Sequence, residues 1–308
     1  MKIFVTGATG VLGRRLLPKL VNQAHSVTAV ARSKDKEDWI RSVGANPISV
    51  DLFDPNAVIN AVQEHSVVIN LATHIPQTLK EMSDPKIWEI NDRIRREVSK
   101  NLATAAKKTG AHKIIQESIA LPYQDHGSEW IDETYPLKPT SVMRSAQVAE
   151  QNVLNSGVDA VVLRFSYFYG PDSHHSQEFI KLARYGVSMY LGPRDAYITM
   201  IHLDDASDAI VYALNAPAGI YNIAEDQPLT RKDATKALAN SLDKHLIFRL
   251  PGFFVPASTE NGDMMRRSQR ISNRKFKEAT GWRPHYPSEY EGWRAIVSAL
   301  QSSGNGSR

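Results

Sequence analysis

An α/β fold, in which helices cover both faces of a parallel sheet, is predicted by three observations. Short runs rich in Val and Ile alternate with helix-length segments over the first 165 residues. The links between them are short. Turn residues bound each run, as they bound strands. The bulk properties agree: 308 residues, 42% hydrophobic and 23% charged, suffice for one large core, alone or with a smaller lobe.

The first strand-like run, residues 3–5, leads into Thr6-Gly7-Ala8-Thr9-Gly10-Val11-Leu12-Gly13, and a helical pattern follows over 11–23. Gly7 allows the tight turn out of the strand. Gly10 lets the backbone approach a pyrophosphate, and Gly13 lets the helix pack close to the sheet. Free amides and the positive helix end then face the phosphates. Gly7, Thr9, Gly10, Val11 and Leu12 are thus expected to touch a dinucleotide. The spacing is Gly-x-x-Gly-x-x-Gly rather than the commoner Gly-x-Gly-x-x-Gly, and its specificity comes from the strand–turn–helix context. The expected sheet is therefore Rossmann-type and doubly wound.

The second run, 27–30, selects the coenzyme. An NAD site usually places an acid after this strand for the ribose 2′-hydroxyl. Here Val30 is followed by Ala31, Arg32 and Ser33, and no acid occurs before Asp35. Arg32 can pair with a 2′-phosphate and Ser33 can donate to it, with Arg14 within reach. NADP(H) is favoured over NAD(H).

Further strands are expected at 48–50, 67–71, 113–116 and 160–164, with helices over 36–43, 56–64, 84–108 and 141–155. Asp54-Pro55 reads as a helix N-cap with proline at the first helical position. Residues 166–199 read as loop-rich and aromatic. A short helix over 204–214 and a strand over 219–223 follow. Beyond Glu225, helices and irregular segments dominate, broken by Pro251, Pro256, Pro284 and Pro287. Residues 1–165, completed by about 200–224, form the expected dinucleotide domain. Residues 166–199 and 225–300 form a substrate lobe, and 301–308 a fraying tail.

Several classes are set aside. Lys and Arg total 37 against 33 Asp and Glu, spread along the chain, so the net charge of +4 reads as a solvated surface rather than a nucleic-acid footprint. With no cysteine there is no disulfide, thiolate metal site or cysteine nucleophile. His174-His175 are adjacent and point apart, and Asp204-Asp205 read as a helix N-cap, so no metal is expected. The opening apolar run ends at Gly7, too short for a membrane span. The expectation is a cytoplasmic protein with a small-molecule substrate, bound to neither nucleic acid nor membrane.

With these residues in hand, almost the whole chain resembles the extended short-chain dehydrogenase/reductase family, which contains nucleotide-sugar epimerases and dehydratases. Asp51-Leu52 resembles the pair at the adenine. Asn70-Leu71-Ala72, with Thr73 next, resembles the segment beside the nicotinamide ribose. Asn91 matches a structural asparagine. Leu163-Arg164 through Tyr169-Gly170-Pro171, His202-Leu203-Asp204-Asp205-Ala206, Tyr221-Asn222-Ile223 and Gly281-Trp282-x-Pro284 resemble later landmarks. The resemblance also implies a homodimer built on the fourth and fifth helices.

One motif departs. The family uses a tyrosine and a lysine four residues later; the matching stretch here runs from Met143 to Glu150, with Gln147 in the lysine position. None of the 11 tyrosines has a lysine four residues on. A positioned general acid contributes roughly 10²–10⁴-fold. Gln147 can still hydrogen-bond a ribose hydroxyl, whereas Met143 offers only soft apolar contact. Substitute catalytic candidates are Ser118, near the family's serine and also a coenzyme contact, Tyr123 at the base of the pocket, and Tyr169 after the sixth strand. Tyr167, like Tyr169, follows strand six on the side of the nicotinamide, and His74 follows strand four.

Trp130, Tyr167, Phe168, Tyr190, Tyr197, Phe253, Phe254, Met264 and Met265 give the lobe an apolar, aromatic character that suits a planar or hydrophobic substrate. Arg266, Arg267 and Arg270 either bind an acidic group or form an exposed basic face. The leading expectation is an NADP(H)-dependent oxidoreductase acting on a small carbonyl or quinone-like molecule with a non-standard proton donor. The alternatives are a non-catalytic NADP(H)-sensing protein and an epimerase-like isomerase or lyase.

Overall fold

The computed structural model describes residues 1–76, 81, 85–245, 248–249 and 258–305. Among these, seven strands form one parallel sheet: β1 (Lys2–Thr6), β2 (Ser26–Val30), β3 (Asn46–Ile48), β4 (Val67–Asn70), β5 (Lys113–Ile119), β6 (Asp159–Phe165) and β7 (Gly219–Ile223). Their order is β7-β6-β5-β4-β1-β2-β3, and every pairing is parallel. This is the predicted doubly wound sheet. Its order reverses between β1 and β4, where such sheets hold ligands beyond the strands' carboxyl ends.

The helices are α1 (Gly13–Asn22), α2 (Lys34–Ser42), α3 (Pro55–Val62), α4 (Pro85–Arg93), α5 (Ser99–Thr109), α6 (Arg144–Leu154), α7 (His174–Arg184), α8 (Leu203–Ala213), α9 (Arg231–Ser241), α10 (Glu260–Arg266), α11 (Arg274–Thr280) and α12 (Glu289–Asn305). The two-residue period of β1 divides them between two cores. Ile3 and Val5 face one side, with Leu16 and Leu20 of α1, Ile40 of α2 and Ile210 of α8. Phe4 faces the other, with Val58 of α3, Leu102 of α5 and Val153 of α6. A third core joins Tyr169, Ile180, Tyr190, Leu238, Trp293 and Val297.

Several expectations need correction. The segment 84–108 is interrupted: a π-helical turn, Ile94–Val98, separates α4 from α5. The wider turn carries Arg95 inward, where its guanidinium meets Glu117 at 3.1 Å. The region 166–199 contains α7, N-capped by the Ser173 side chain. The third strand lies at Asn46–Ile48 rather than 48–50, and its Pro47 is tolerated because β3 is an edge. Phe276 and Trp282, assigned by sequence to the lobe, pack into the core against the main sheet. Helix α12 reaches Asn305, past the expected start of the tail. Asp204 and Asp205 lie in the first turn of α8, and the cap is the His202 ring, which accepts from the Asp204 amide at 3.2 Å. Asp54 does cap α3, accepting from the amides of Asn56 and Ala57. Pro251, Phe253, Phe254, Pro256 and residues 306–308 lie outside the described residues. No described helix is long and apolar enough to cross a membrane.

Candidate coenzyme site

The glycine loop and the end of β4 meet backbone to backbone. Gly7 has φ +68°, and a Cβ there would stand 2.2 Å from the Leu71 carbonyl oxygen. A Cβ at Gly13 would come 2.4 Å from the carbonyl oxygen of Ala8. At Gly10, by contrast, an added Cβ would meet only the Gly7 carbonyl oxygen, at 3.4 Å, and otherwise point into open space. The amides of Val11 and Leu12 donate to no oxygen of the described residues. Val11 is exposed, whereas the Leu12 side chain is buried in the core, so Leu12 can meet a ligand only through its backbone. The Thr9 carbonyl accepts from Arg14 Nε at 3.0 Å.

The rim beyond β2 is basic. Arg32 is exposed and forms no ion pair among the described residues. Arg14 lies over the Trp39 ring of α2, 5.1 Å from its centroid. The acids of α2 have partners of their own: Asp38 pairs with Lys34 at 2.7 Å, and Glu37 with Arg41 at 3.3 Å. Ser33 makes no cap bond to α2, and its hydroxyl turns to Asp35, whose carboxyl it holds below the usual range. Beyond β3, Asp51 accepts from the Phe53 amide at 2.9 Å, and the Leu52 carbonyl accepts from Asn101 Nδ2 at 3.0 Å.

Asn70 ties together the ends of three strands. Its Oδ1 accepts from Thr6 Oγ1 at 2.6 Å and from the Ala72 amide at 3.2 Å, and its Nδ2 donates to Gln116 Oε1 at 2.8 Å. The buried Asn91 accepts from the His74 amide at 2.9 Å and so fixes the chain beyond β4. Leu71 is buried, while Ala72 and Thr73 are half-buried beside the loop. Gln147 is half-buried on α6, and Met143 is buried just before it.

The three catalytic candidates are not poised as expected. Ser118 Oγ donates to Glu150 Oε1 at 2.6 Å. Glu150 is gripped by Arg164 through Nε at 2.9 Å and Nη2 at 2.7 Å. Arg164 Nη1 donates to the Tyr123 hydroxyl at 2.9 Å, and that hydroxyl donates to Asn222 Oδ1 at 2.8 Å. All five side chains are buried. Burial pushes the Tyr123 phenol up to about 12, against the pull of Arg164. Ser118 and Tyr123 thus spend their protons on protein acceptors, closing a structural network between β5, α6, β6 and β7. Tyr169 is fully buried in the third core, its ring 5.3 Å from those of His202 and Trp293. Glu150, Arg164 and Asn222 were missed as network partners because nothing in linear spacing shows which side chains meet inside the sheet.

The model of the NAD dependent epimerase/dehydratase family matches residues 3–224. The chain belongs to that family. A 3-diazoavenalumate denitrifying reductase from a Streptomyces species is 27% identical over 95% of this chain and 99% of its own length. A chloroplastic SDR39U1 homolog, an epimerase family protein of Arabidopsis thaliana, is 24% identical over 96% of this chain and 87% of its own. Among solved structures, human epimerase family protein SDR39U1 with NADPH superposes with a TM-score of 0.81 at 19% identity, covering 97% of this chain and 99% of that one. Thermus thermophilus UDP-glucose 4-epimerase with NAD gives 0.75 at 23%, covering 98% and 100%. At these identities the superpositions speak to the fold.

For a member of this NAD(P)-binding family, the loop geometry fits the coenzyme. The space at Gly10 and the two undonated amides form the cradle a pyrophosphate needs. The lobe's basic run is not the exposed face that sequence allowed: Arg267 is buried and pairs with Asp263 at 2.8 Å. Arg270 lies between Trp130 and Tyr197, 4.1 and 5.0 Å from their ring centroids.

Proposed function

We propose that this chain binds NADP(H) at the glycine loop and reduces a small carbonyl or quinone-like substrate, hydrophobic or planar in character. The observation that carries the coenzyme choice is Arg32, exposed and without an ion pair among the described residues, at a strand end where an NAD site would hold an acid. Arg32 pairs with the 2′-phosphate, and Arg14, braced on Trp39, borders the same rim. The Val11 and Leu12 amides hold the pyrophosphate. Gln147 donates to a ribose hydroxyl, and Met143 supplies apolar surface. The coenzyme, when bound, supplies the hydride. No side chain at Met143 or Gln147 moves a proton, and Ser118 and Tyr123 are committed inside the protein. The proton on the substrate oxygen therefore comes from a non-standard donor, the half-buried Tyr167, the exposed His74 or water, and an easy acceptor makes the least demand on it. A Streptomyces relative named as a reductase and a human relative solved with NADPH support the reading.

Loss of nicotinamide absorbance on mixing NADPH with a panel of carbonyls and quinones tests it, with turnover by at least one acceptor expected. No turnover by any acceptor favours the second reading, a redox sensor, which the absent tyrosine–lysine pair recommends. A sensor would change self-association differently with NADP+ and NADPH.

A further inference from the structure

Inside the substrate lobe, the Arg231 and Arg249 guanidinium groups lie within electrostatic range of each other, and the backbone of Arg267 borders them. Arg267 has a carboxylate partner, Asp263, and also donates to the Tyr123 carbonyl at 3.1 Å. Arg249 donates to the backbone carbonyls of Tyr190 and, at 3.0 Å, Gly192, with Asp195 within electrostatic range. Arg231 opens α9 and is only 5% exposed. Its Nη2 donates to the carbonyls of Met265 at 2.8 Å and Arg267 at 3.0 Å, and its buried Nη1 has no hydrogen-bond partner among the described residues. These groups share one corner, since a Cβ on Gly192 would lie 2.5 Å from the Met265 carbonyl oxygen and 3.4 Å from Arg231 Nε.

Such an arrangement is costly unless something offsets it. Guanidinium keeps its proton, and a buried charge without a counter-ion is strongly unfavourable. Burial and the neighbouring Arg249 pull Arg231 down only to about 10, still charged at neutral pH. The acid that acts on it from within the protein is Asp125, and both its oxygens are occupied, by the amides of Gly127 at 3.0 Å and Ser268 at 2.9 Å. Tyr167 lies within electrostatic range of Arg231 and Arg267, and it follows β6 directly. The corner therefore lies on the carboxyl side of the sheet, where ligands of this fold sit.

We infer that Arg231, through its free Nη1, receives an anionic oxygen group of the substrate, a carboxylate or a phosphate. The inference rests on the reading of the lobe as a substrate site and narrows it: the substrate is an acid as well as planar or hydrophobic. The guanidinium fork suits either anion, and the carbonyls that hold Nη2 fix its direction before the ligand arrives.

The test uses the full chain saturated with NADP+ and titrated calorimetrically with benzoate, phenyl phosphate and the uncharged benzamide. At least one anion is expected to bind roughly tenfold or more tightly than benzamide. Whichever of benzoate and phenyl phosphate wins names the group. Arg231→Gln keeps an amide donor for the two carbonyls but removes the charge, and it is expected to abolish the preference while leaving NADP+ affinity intact. Arg231→Lys restores part of the preference. Equal affinity of the wild type for the anions and benzamide overturns the inference, as does a preference undiminished in Arg231→Gln, and the wild-type arm holds whether or not the variants fold. Failure to bind NADP+ at all is a different result and sinks the coenzyme reading instead.

Discussion

Single residues decide the coenzyme cradle, and the most demanding of them is Gly7. Its positive φ and the Leu71 carbonyl leave no room for a side chain. Gly7→Ala is expected to destabilise the fold by about 3 kcal/mol or more, read by urea unfolding, because strain and a backbone clash add at one position. A loss below about 1 kcal/mol would mean that the loop relaxes easily and that Gly7 serves only the ligand. This residue was legible in sequence because its spacing and its place between strand and helix carry one physical meaning. Ser118 was not. It stands at the right strand end, but its partner Glu150 is 32 residues away on another element. Asp204 was misread for a similar reason: both it and His202 suit a cap, and only the folded backbone shows the ring in position.

At the scale of elements, the sheet and its helices followed from apolar runs and turn residues, since strands buried on both faces must be apolar. What periodicity concealed was the interruption of the fourth helix. The π-turn accompanies the reach of Arg95 to Glu117, and a pair between different elements leaves no local trace in the sequence. Helix α7 was hidden for another reason, since aromatic and histidine residues dilute its pattern. The buried Glu150–Arg164 pair joins α6 to β6. Arg164→Met leaves Glu150 buried without its cation, and a loss of about 3–5 kcal/mol in chemical denaturation is expected. Replacing both, as Glu150→Leu with Arg164→Met, should cost less than Arg164→Met alone. A double variant worse than the single one would show that the pair stabilises the fold rather than specifying it.

At the scale of the whole molecule, charges buried between sheet and lobe tie stability to pH. Glu289, at the start of α12, accepts from the Tyr190 hydroxyl and from Trp293 Nε1 at 2.9 Å, while its other oxygen has no partner among the described residues. Burial pushes it from its ordinary 4.5 up to about 7, and Glu225, buried near it, is raised as well. Between those two values the folded state keeps a proton that the unfolded state has released, so Glu289 makes stability fall as pH rises from 4.5 to 7. His202 acts in the opposite sense. Burial lowers it from 6.5 to about 4, so its contribution is lost as pH falls through that range. Glu289→Gln is expected to flatten the first slope and raise the melting temperature above pH 7, and an unchanged profile would contradict this assignment.

All of this surrounds a site whose central claim is narrow: amides after β1 grip a pyrophosphate, and Arg32 selects the phosphorylated ribose. Calorimetric titration of the wild type and Arg32→Ala with NADPH and NADH tests it most directly. Wild-type protein should bind NADPH at least about tenfold more tightly, and the substitution should erase that margin without weakening NADH. Tighter binding of NADH by the wild type, or a margin that survives loss of the guanidinium, would contradict it.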